Sequence, residues 1–253
     1  MLENLTIVLF HPKFPENVGS AARACANMGC PNLIVVQPRN WDLGRASALA
    51  TPKGVDILSS MRVVDDLPTA LAGFEFVYGT TARTGGWRKG LWTPAKAGST
   101  IAGQMGQGSS VAVVFGPEDR GLTNEETEIC GKLLTIPTSP EASSLNLAQA
   151  VLVVLYECFK NVMEHPGEEP AQPAPTNLAT HEEMELLFGN LKDTLAAIDY
   201  LKDENTDYWM LPVRRFLQRA PFRRSEFNMI MGVCRQVKWI ADKAGRTTDG
   251  DAS

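Results

Sequence analysis

The chain has 253 residues, enough for one domain of ordinary size and a small second one. Its 44% apolar composition suits a soluble globular fold, and no apolar run reaches the ~18 residues that a membrane span needs. The net charge of −5 argues against a nucleic-acid partner, yet its spread is uneven: residues 182–207 carry eight acids and two lysines, and residues 208–246 nine basic residues and two acids.

The N-terminus runs directly into a strand-like segment, Leu5–Phe10, with no basic stretch of a signal peptide before it. The loop His11–Glu16 leads to Asn17-Val18-Gly19-Ser20-Ala21-Ala22-Arg23, a small-residue helix that stops near Gly29, a suitable residue for the C′ position. Arg23 falls on its first turns, beside a glycine that lets a ligand or a backbone come close. Further strands are predicted at Leu33–Val36, Arg62–Val64, Phe74–Tyr78, Val111–Phe115 and Leu133–Ile136, with helices between them such as Leu67–Leu71. Short, continuous apolar strands separated by helices predict an α/β fold, a parallel sheet with helices on both faces.

Three of these strands run into unusual segments. Gly79-Thr80-Thr81-Ala82-Arg83 is either an ordinary turn or a place where small residues let a planar base approach the backbone. Val111–Phe115 runs into Gly116-Pro117-Glu118-Asp119-Arg120-Gly121-Leu122, and Thr123 with Glu126 has the spacing of a capping box. Two glycines thus bracket two acids and an arginine at a strand's carboxyl end, where ligands of open α/β sheets bind. The last apolar run ends at Ile136-Pro137, and a polar loop carries Ser139, Ser143 and Ser144. Leu145, Asn146 and Leu147 then open a nearly all-apolar helix that ends near Phe159. Such a helix N-terminus favours a ligand able to supply hydrogen-bond acceptors.

Four prolines between Glu164 and Asn177 mark an extended linker. Thr180 with Glu183 starts a helix whose Met184, Leu187, Phe188, Leu191 and Leu195 share one face; Phe227, Ile230, Cys234 and Val237 form a stripe on a later one. The predicted organisation is an α/β domain over 1–163, a linker over 164–179, a small all-α domain over 180–245 and a disordered tail over 246–253. Arg214, Arg215, Arg219, Arg223 and Arg224 fall close together with no acid among them. They form either a polyanion-binding patch or a solvated face. The five cysteines are scattered without a CxxC pair, and with three histidines they predict reduced thiols in a cytoplasmic protein and no metal site. A Ser144 hydrolase is disfavoured because GxSxG is missing, and no GxGxxG marks a dinucleotide-binding domain.

NVGSAAR, FGPEDRGLTNEE and SSLNLAQAV resemble motifs one, two and three of the SPOUT class of RNA methyltransferases. Within that class they are similar to the TrmH-like 2′-O-ribose methyltransferases. The region after the linker resembles the extra helical domain of the TrmJ branch. The resemblance implies a C-terminal trefoil knot in the α/β domain, S-adenosylmethionine as cofactor, a homodimer joined through the apolar helix, and tRNA as substrate, with cytidine or uridine at position 32 methylated. Methylation of ribosomal RNA or of another tRNA position is the alternative, as is a non-catalytic RNA-binding relative. The resemblance assigns Thr80, Thr81, Ala82, Gly116, Ile136, Ser143, Ser144 and Leu145 to the cofactor. It assigns Arg23, Asn17, Glu118, Ser144 and Asn146 to catalysis, with Asn17 holding Arg23 and Glu118 orienting it or relaying a proton. Arg23, Arg83, Arg214, Arg215 and Arg219 would meet RNA, and Arg39, Arg88 and Lys89 come next. On this reading Gly116→Val blocks the cofactor and leaves the fold intact.

Overall fold

The computed structural model describes residues 1–85, 90–164, 176–201 and 205–250, the last six of these as backbone only. The chain divides into two compact units, Met1–Thr176 and Asn177–Ser253. In the first, strands and helices alternate: β1 (Leu5–Phe10), α1 (Pro15–Asn27), β2 (Asn32–Val36), α2 (Leu43–Leu49), α3 (Pro52–Ser60), β3 (Arg62–Val64), α4 (Leu67–Leu71), β4 (Phe76–Thr80), α5 (Pro94–Gly106), β5 (Val111–Phe115), α6 (Asn124–Ile129), β6 (Lys132–Leu134) and α7 (Leu147–Glu164). The six strands form one sheet, all neighbours parallel, in the order β3-β2-β1-β5-β4-β6.

Alternation along the strands explains the two covered faces. Ile7, Leu9, Val35, Val113 and Phe115 point to one side, into a core with Val18, Ala22, Ile101, Val151 and Leu155 of α1, α5 and α7. Val8, Ile34, Val36, Ala112 and Val114 point to the other, against Leu67 and Leu71 of α4 and Leu122. Close helix packing needs glycine at two places. A Cβ on Gly19 would lie 1.9 Å from the Ala46 carbonyl oxygen, and one on Gly98 would lie 2.7 Å from the Glu157 carbonyl carbon. The neighbour that Gly19 admits is therefore backbone.

Two strand boundaries differ from the sequence expectation. β4 starts at Phe76 and runs on to Thr80, because Glu75 and Phe76 both donate to the Ser110 carbonyl and the ladder settles only beyond them. β6 stops at Leu134, so Ile136 already belongs to the loop. The chain at Leu133–Thr135 is held from both sides. The Thr81 amide donates to the Leu134 carbonyl, the Trp92 amide donates to the Leu133 carbonyl, and the Thr135 amide donates to the Trp92 carbonyl. The Trp92 ring packs near Tyr78, and Lys96 and Lys132 lay their ammonium groups 4.4 and 4.5 Å from its centroid.

The second unit consists of α8 (His181–Ala197), α9 (Thr206–Leu217) and α10 (Arg224–Gly250). Its core joins Ala179, Leu187 and Phe227 to Met184, Leu191 and Ile230, and Thr180 with Glu183 forms the expected capping box. The linker expected at 164–179 falls largely on 165–175, outside the described residues, and α10 continues to Gly250, past the start expected for the tail at 246.

His181 is buried at the start of α8, and among the described residues its Nε2 has no hydrogen-bond partner. Burial pushes its pKa down, the nearby Glu185 carboxylate opposes that, and Arg214 adds to it. The unfolded chain therefore binds a proton near the ordinary value of about 6.5 while the folded unit still resists it. Stability of this unit is expected to fall as pH drops below about 6.5, down to the lowered folded value. Thermal melts over this range should show the loss, and His181→Gln should flatten it.

Candidate active site

The loops at the carboxyl ends of β4, β5 and β6 enclose a cavity of about 290 Å³, at the small end of the usual range for ligand pockets. Thr80, Thr81, Ala82, Gly116, Ile136, Ser143, Ser144 and Leu145 all line it, together with Arg83 and Glu118. Two of its hydroxyls are spoken for. Thr80 Oγ1 donates to the Val114 carbonyl at 3.0 Å, and Thr81 Oγ1 accepts from the Arg83 amide at 3.1 Å. These threonines shape the loop. An apolar wall comes from Phe115, Leu134, Ile136, Leu145, Leu147 and Ala150; Glu118, Asp119, Arg120 and Thr138 line the cavity as well, and Ser143 and Ser144 are exposed at the rim. An apolar slot edged by loop backbone and hydroxyls fits a flat heterocycle carrying a ribose.

Gly116 has a different reason to be glycine than the one expected. A Cβ there would lie 2.4 Å from the Leu122 amide nitrogen and 2.5 Å from the Gly121 carbonyl carbon. The turn closes on itself at this point. Gly121 takes a left-handed φ of +64°, and Arg120 grips Glu126 with two bonds of 2.9 and 2.8 Å. Burial works against ionised Glu126, but Arg120 and the Thr123 amide hold its carboxyl below the usual range. Gly116→Val would break this turn, so the expectation of an intact fold is corrected.

Three segments far apart in sequence meet beside the cavity through Asn17. Its Nδ2 donates to Glu118 Oε1 at 2.6 Å, and its Oδ1 accepts from Asn146 Nδ2 at 2.9 Å. Asn146 Oδ1 in turn accepts from the Ala148 amide at 2.9 Å, which caps α7. Glu118 Oε2 accepts from the Lys13 amide at 2.8 Å. Both carboxylate oxygens therefore hold neighbouring loops in place, and one asparagine sets the positions of all three.

Arg23 stands apart from this group. It is exposed on α1, on the face of Glu16, Ser20 and Asn27, and does not line the cavity. Six helical residues separate it from Asn17, a rotation of about 240°, and among the described residues no hydrogen bond joins it to Asn17 or Glu118. Arg83 sits at the cavity rim with Nη2 donating to the Arg120 carbonyl at 2.8 Å. Arg39 pairs with Asp119 at 3.1 Å; Arg88 and Lys89 lie outside the described residues. In the second unit, Arg214 makes two bonds to Glu185 and lies 4.2 Å from the Phe188 ring centroid, partly buried. Arg224 pairs with Glu183. Arg219 is exposed against Phe216, and Arg215 is half-buried. Among the described residues no group of three or more His, Cys, Asp or Glu could hold a metal ion.

The SpoU rRNA methylase family model matches residues 4–156, and the model of the tRNA methyltransferase TrmJ C-terminal domain matches residues 182–250. The tRNA (cytidine/uridine/adenosine-2′-O-)-methyltransferase TrmJ of Pseudomonas aeruginosa is 36% identical over 95% of this chain and 96% of its own length. The chain belongs to the SpoU methylase family, in its TrmJ branch. The tRNA (cytidine/uridine-2′-O-)-methyltransferase TrmJ of Escherichia coli K12 is 34% identical over 94% of this chain and 96% of its own. Among solved structures, TrmJ from Z. mobilis superposes with a TM-score of 0.77 at 31% identity, covering 92% of this chain and 98% of that one. A probable methylase from Haemophilus influenzae gives 0.62 at 30% identity, covering 96% and 100%. As a SpoU methylase the protein is an RNA methyltransferase, and its cofactor is S-adenosylmethionine. The cavity residues Thr81, Gly116, Ile136 and Leu145 would hold it.

Proposed function

We propose that this enzyme methylates a ribose 2′-hydroxyl of tRNA, at position 32 of the anticodon loop, with cytidine or uridine accepted. The Pseudomonas and Escherichia relatives, both named for tRNA 2′-O-methylation, support the substrate class. The observation that carries the site is Asn17, bonded at once to Glu118 and Asn146 beside the cavity. S-adenosylmethionine, when bound, supplies the electrophilic methyl group. The chain's own residues then position the ribose. Arg23 stays protonated, so it binds the adjoining phosphate and stabilises negative charge growing on the 2′-oxygen as the hydroxyl proton passes to solvent. Glu118, held by Asn17 and Lys13, fixes the floor of the site, Asn146 anchors Asn17 to the start of α7, and Ser144 presents a hydroxyl at the rim. Methyl mapping in tRNA from cells lacking the protein tests this reading; loss at position 32 is expected, and loss only in ribosomal RNA would overturn it.

The same reading includes a trefoil knot, a homodimer and a cytoplasmic place of action. Leu133–Thr135 passing between Thr81 and Trp92 supports a threaded chain. No described helix is long and apolar enough to cross a membrane. Leu152, Tyr156 and Met163 are exposed along one side of α7 and support a dimer through that helix. Sedimentation at low micromolar concentration is expected to give a dimer, and Tyr156→Glu a monomer with little activity.

The helical domain, which includes Asn177–Ala179 from the end of the linker expected over 164–179, adds tRNA-binding surface. Arg215 and Arg219 would carry it, whereas Arg214 serves its ion pair with Glu185. Arg214→Ala should lower the melting temperature of this unit. Arg219→Ala should leave stability unchanged and reduce the salt dependence of tRNA affinity by roughly 0.7–0.9 of a logarithmic unit per unit of log salt, one phosphate contact. Filter binding at several salt concentrations measures the slope.

A further inference from the structure

Phe14 is a large apolar side chain left 45% exposed at the edge of the site, and neither folding nor capping explains it. It occupies the N-cap of α1, where it makes no side-chain cap. Asp42, Thr51, Asp66, Thr93 and Thr123 all cap their helices in the same unit. An oxygen-bearing residue at position 14 would stabilise α1 by about 1 kcal/mol.

The backbone that carries the ring is nonetheless held firmly. Pro15 fixes the first helical residue and restricts Phe14 to an extended backbone, observed at φ −113° and ψ 119°. Pro12 stiffens the other side, and its carbonyl accepts from the Arg39 amide at 2.9 Å. Two bonds then tie this short loop to the catalytic group. The Lys13 amide donates to Glu118 Oε2 at 2.8 Å, and the Asn17 amide donates to the Phe14 carbonyl at 3.0 Å. The backbone bearing the exposed ring is thus kept in register with Asn17 and Glu118. The Lys13 ammonium stands 5.4 Å from its centroid, and no ion pair holds that charge among the described residues.

An exposed aromatic on a constrained backbone, with a cation beside it that no described ion pair holds, suits an unpaired nucleobase and its phosphate. Proteins that bind single-stranded RNA stack bases on aromatic rings and neutralise the backbone with nearby cations. Methylation of a 2′-hydroxyl requires the target nucleotide to turn its ribose into the site, which leaves a neighbouring base unstacked. We propose that Phe14 is the stacking platform for an unpaired base next to the methylated ribose, with Lys13 on the adjoining phosphate. This rests on the proposed tRNA 2′-O-methylation and names a residue that sets its affinity.

The test is steady-state methylation of a tRNA transcript at saturating S-adenosylmethionine by the full-length chain and its Phe14→Ala, Phe14→Leu, Phe14→Trp and Lys13→Gln variants. Phe14→Ala and Phe14→Leu are expected to raise KM for tRNA about tenfold, in line with the worth of one base stack. Phe14→Trp is expected to stay close to the parent value. Cofactor affinity, melting temperature and sedimentation should be unchanged in all four. Lys13→Gln should lower the salt slope of binding by about one phosphate contact. A Phe14→Leu variant as good as the parent would reduce the ring to an apolar contact and overturn stacking. So would an unchanged Phe14→Ala, or one that merely dissociates the assembly. If the parent chain methylates no tRNA, the substrate reading fails and takes this inference with it; if it does and Phe14 is silent, only the inference fails.

Discussion

Arg23→Ala is expected to bind S-adenosylmethionine as the parent chain does and to transfer its methyl group at least about a hundredfold more slowly. The first half rests on placement. Arg23 lies outside the cavity wall, and among the described residues no hydrogen bond or ion pair of its own links it to the residues that form that wall. The second half rests on chemistry. A guanidinium with no partner among the described residues, on an exposed helix face, contributes little to folding and is free to meet a phosphate or a developing alkoxide. Arg23→Lys keeps the charge but loses the planar fork, so it should recover only part of the rate. Calorimetry with the cofactor and single-turnover methylation of tRNA separate the two halves. A parent-like single-turnover rate for Arg23→Ala would remove Arg23 from the chemistry.

The parts of the fold that are legible in the sequence are those decided by local pattern. Val111–Phe115 is an unbroken apolar run that stops at Gly116-Pro117, and it forms a buried central strand. Thr180 and Glu183 stand at the spacing of a capping box, and they make one. Features that depend on docking are not legible. Nothing near Arg214 in sequence shows that Glu185, on another helix, takes both of its nitrogens, so a residue expected to meet RNA turns out to hold α8 and α9 together. Asn17 is expected to hold Arg23. Instead it bonds Glu118 and Asn146, because the amide lies on the side of α1 facing the β5 and α7 loops, and Arg23 on another. Phe14 carries no signal by itself, since one exposed aromatic in a loop is ordinary until its neighbours are known. The signal that could have found it lies in His11-Pro12-Lys13-Phe14-Pro15: two prolines bracketing a cation and an aromatic just before the helix that carries Asn17.

Gly116→Val is expected to abolish cofactor binding and also to destabilise the N-terminal unit. The valine Cβ would fall on the backbone of Gly121 and Leu122, at distances no real Cβ contact reaches, and backbone cannot yield as the end of a flexible side chain can. Relieving the clash opens the turn that Arg120, Glu126 and Thr123 pin, and the turn forms one wall of the cavity. The strain is about 3 kcal/mol, which lowers the melting temperature of a unit this size by roughly 6–12 °C. Ala82→Val is the companion variant. Ala82 lines the same cavity and is exposed, so added bulk there fills the opening without pressing on the turn. It should lose cofactor affinity with no change in melting temperature. Calorimetry and thermal melts on both variants distinguish the two ways of emptying one cavity. Loss of stability in Gly116→Val alone, with loss of affinity in both, is the expected pattern, and unchanged affinity in both would mean that the cofactor sits elsewhere.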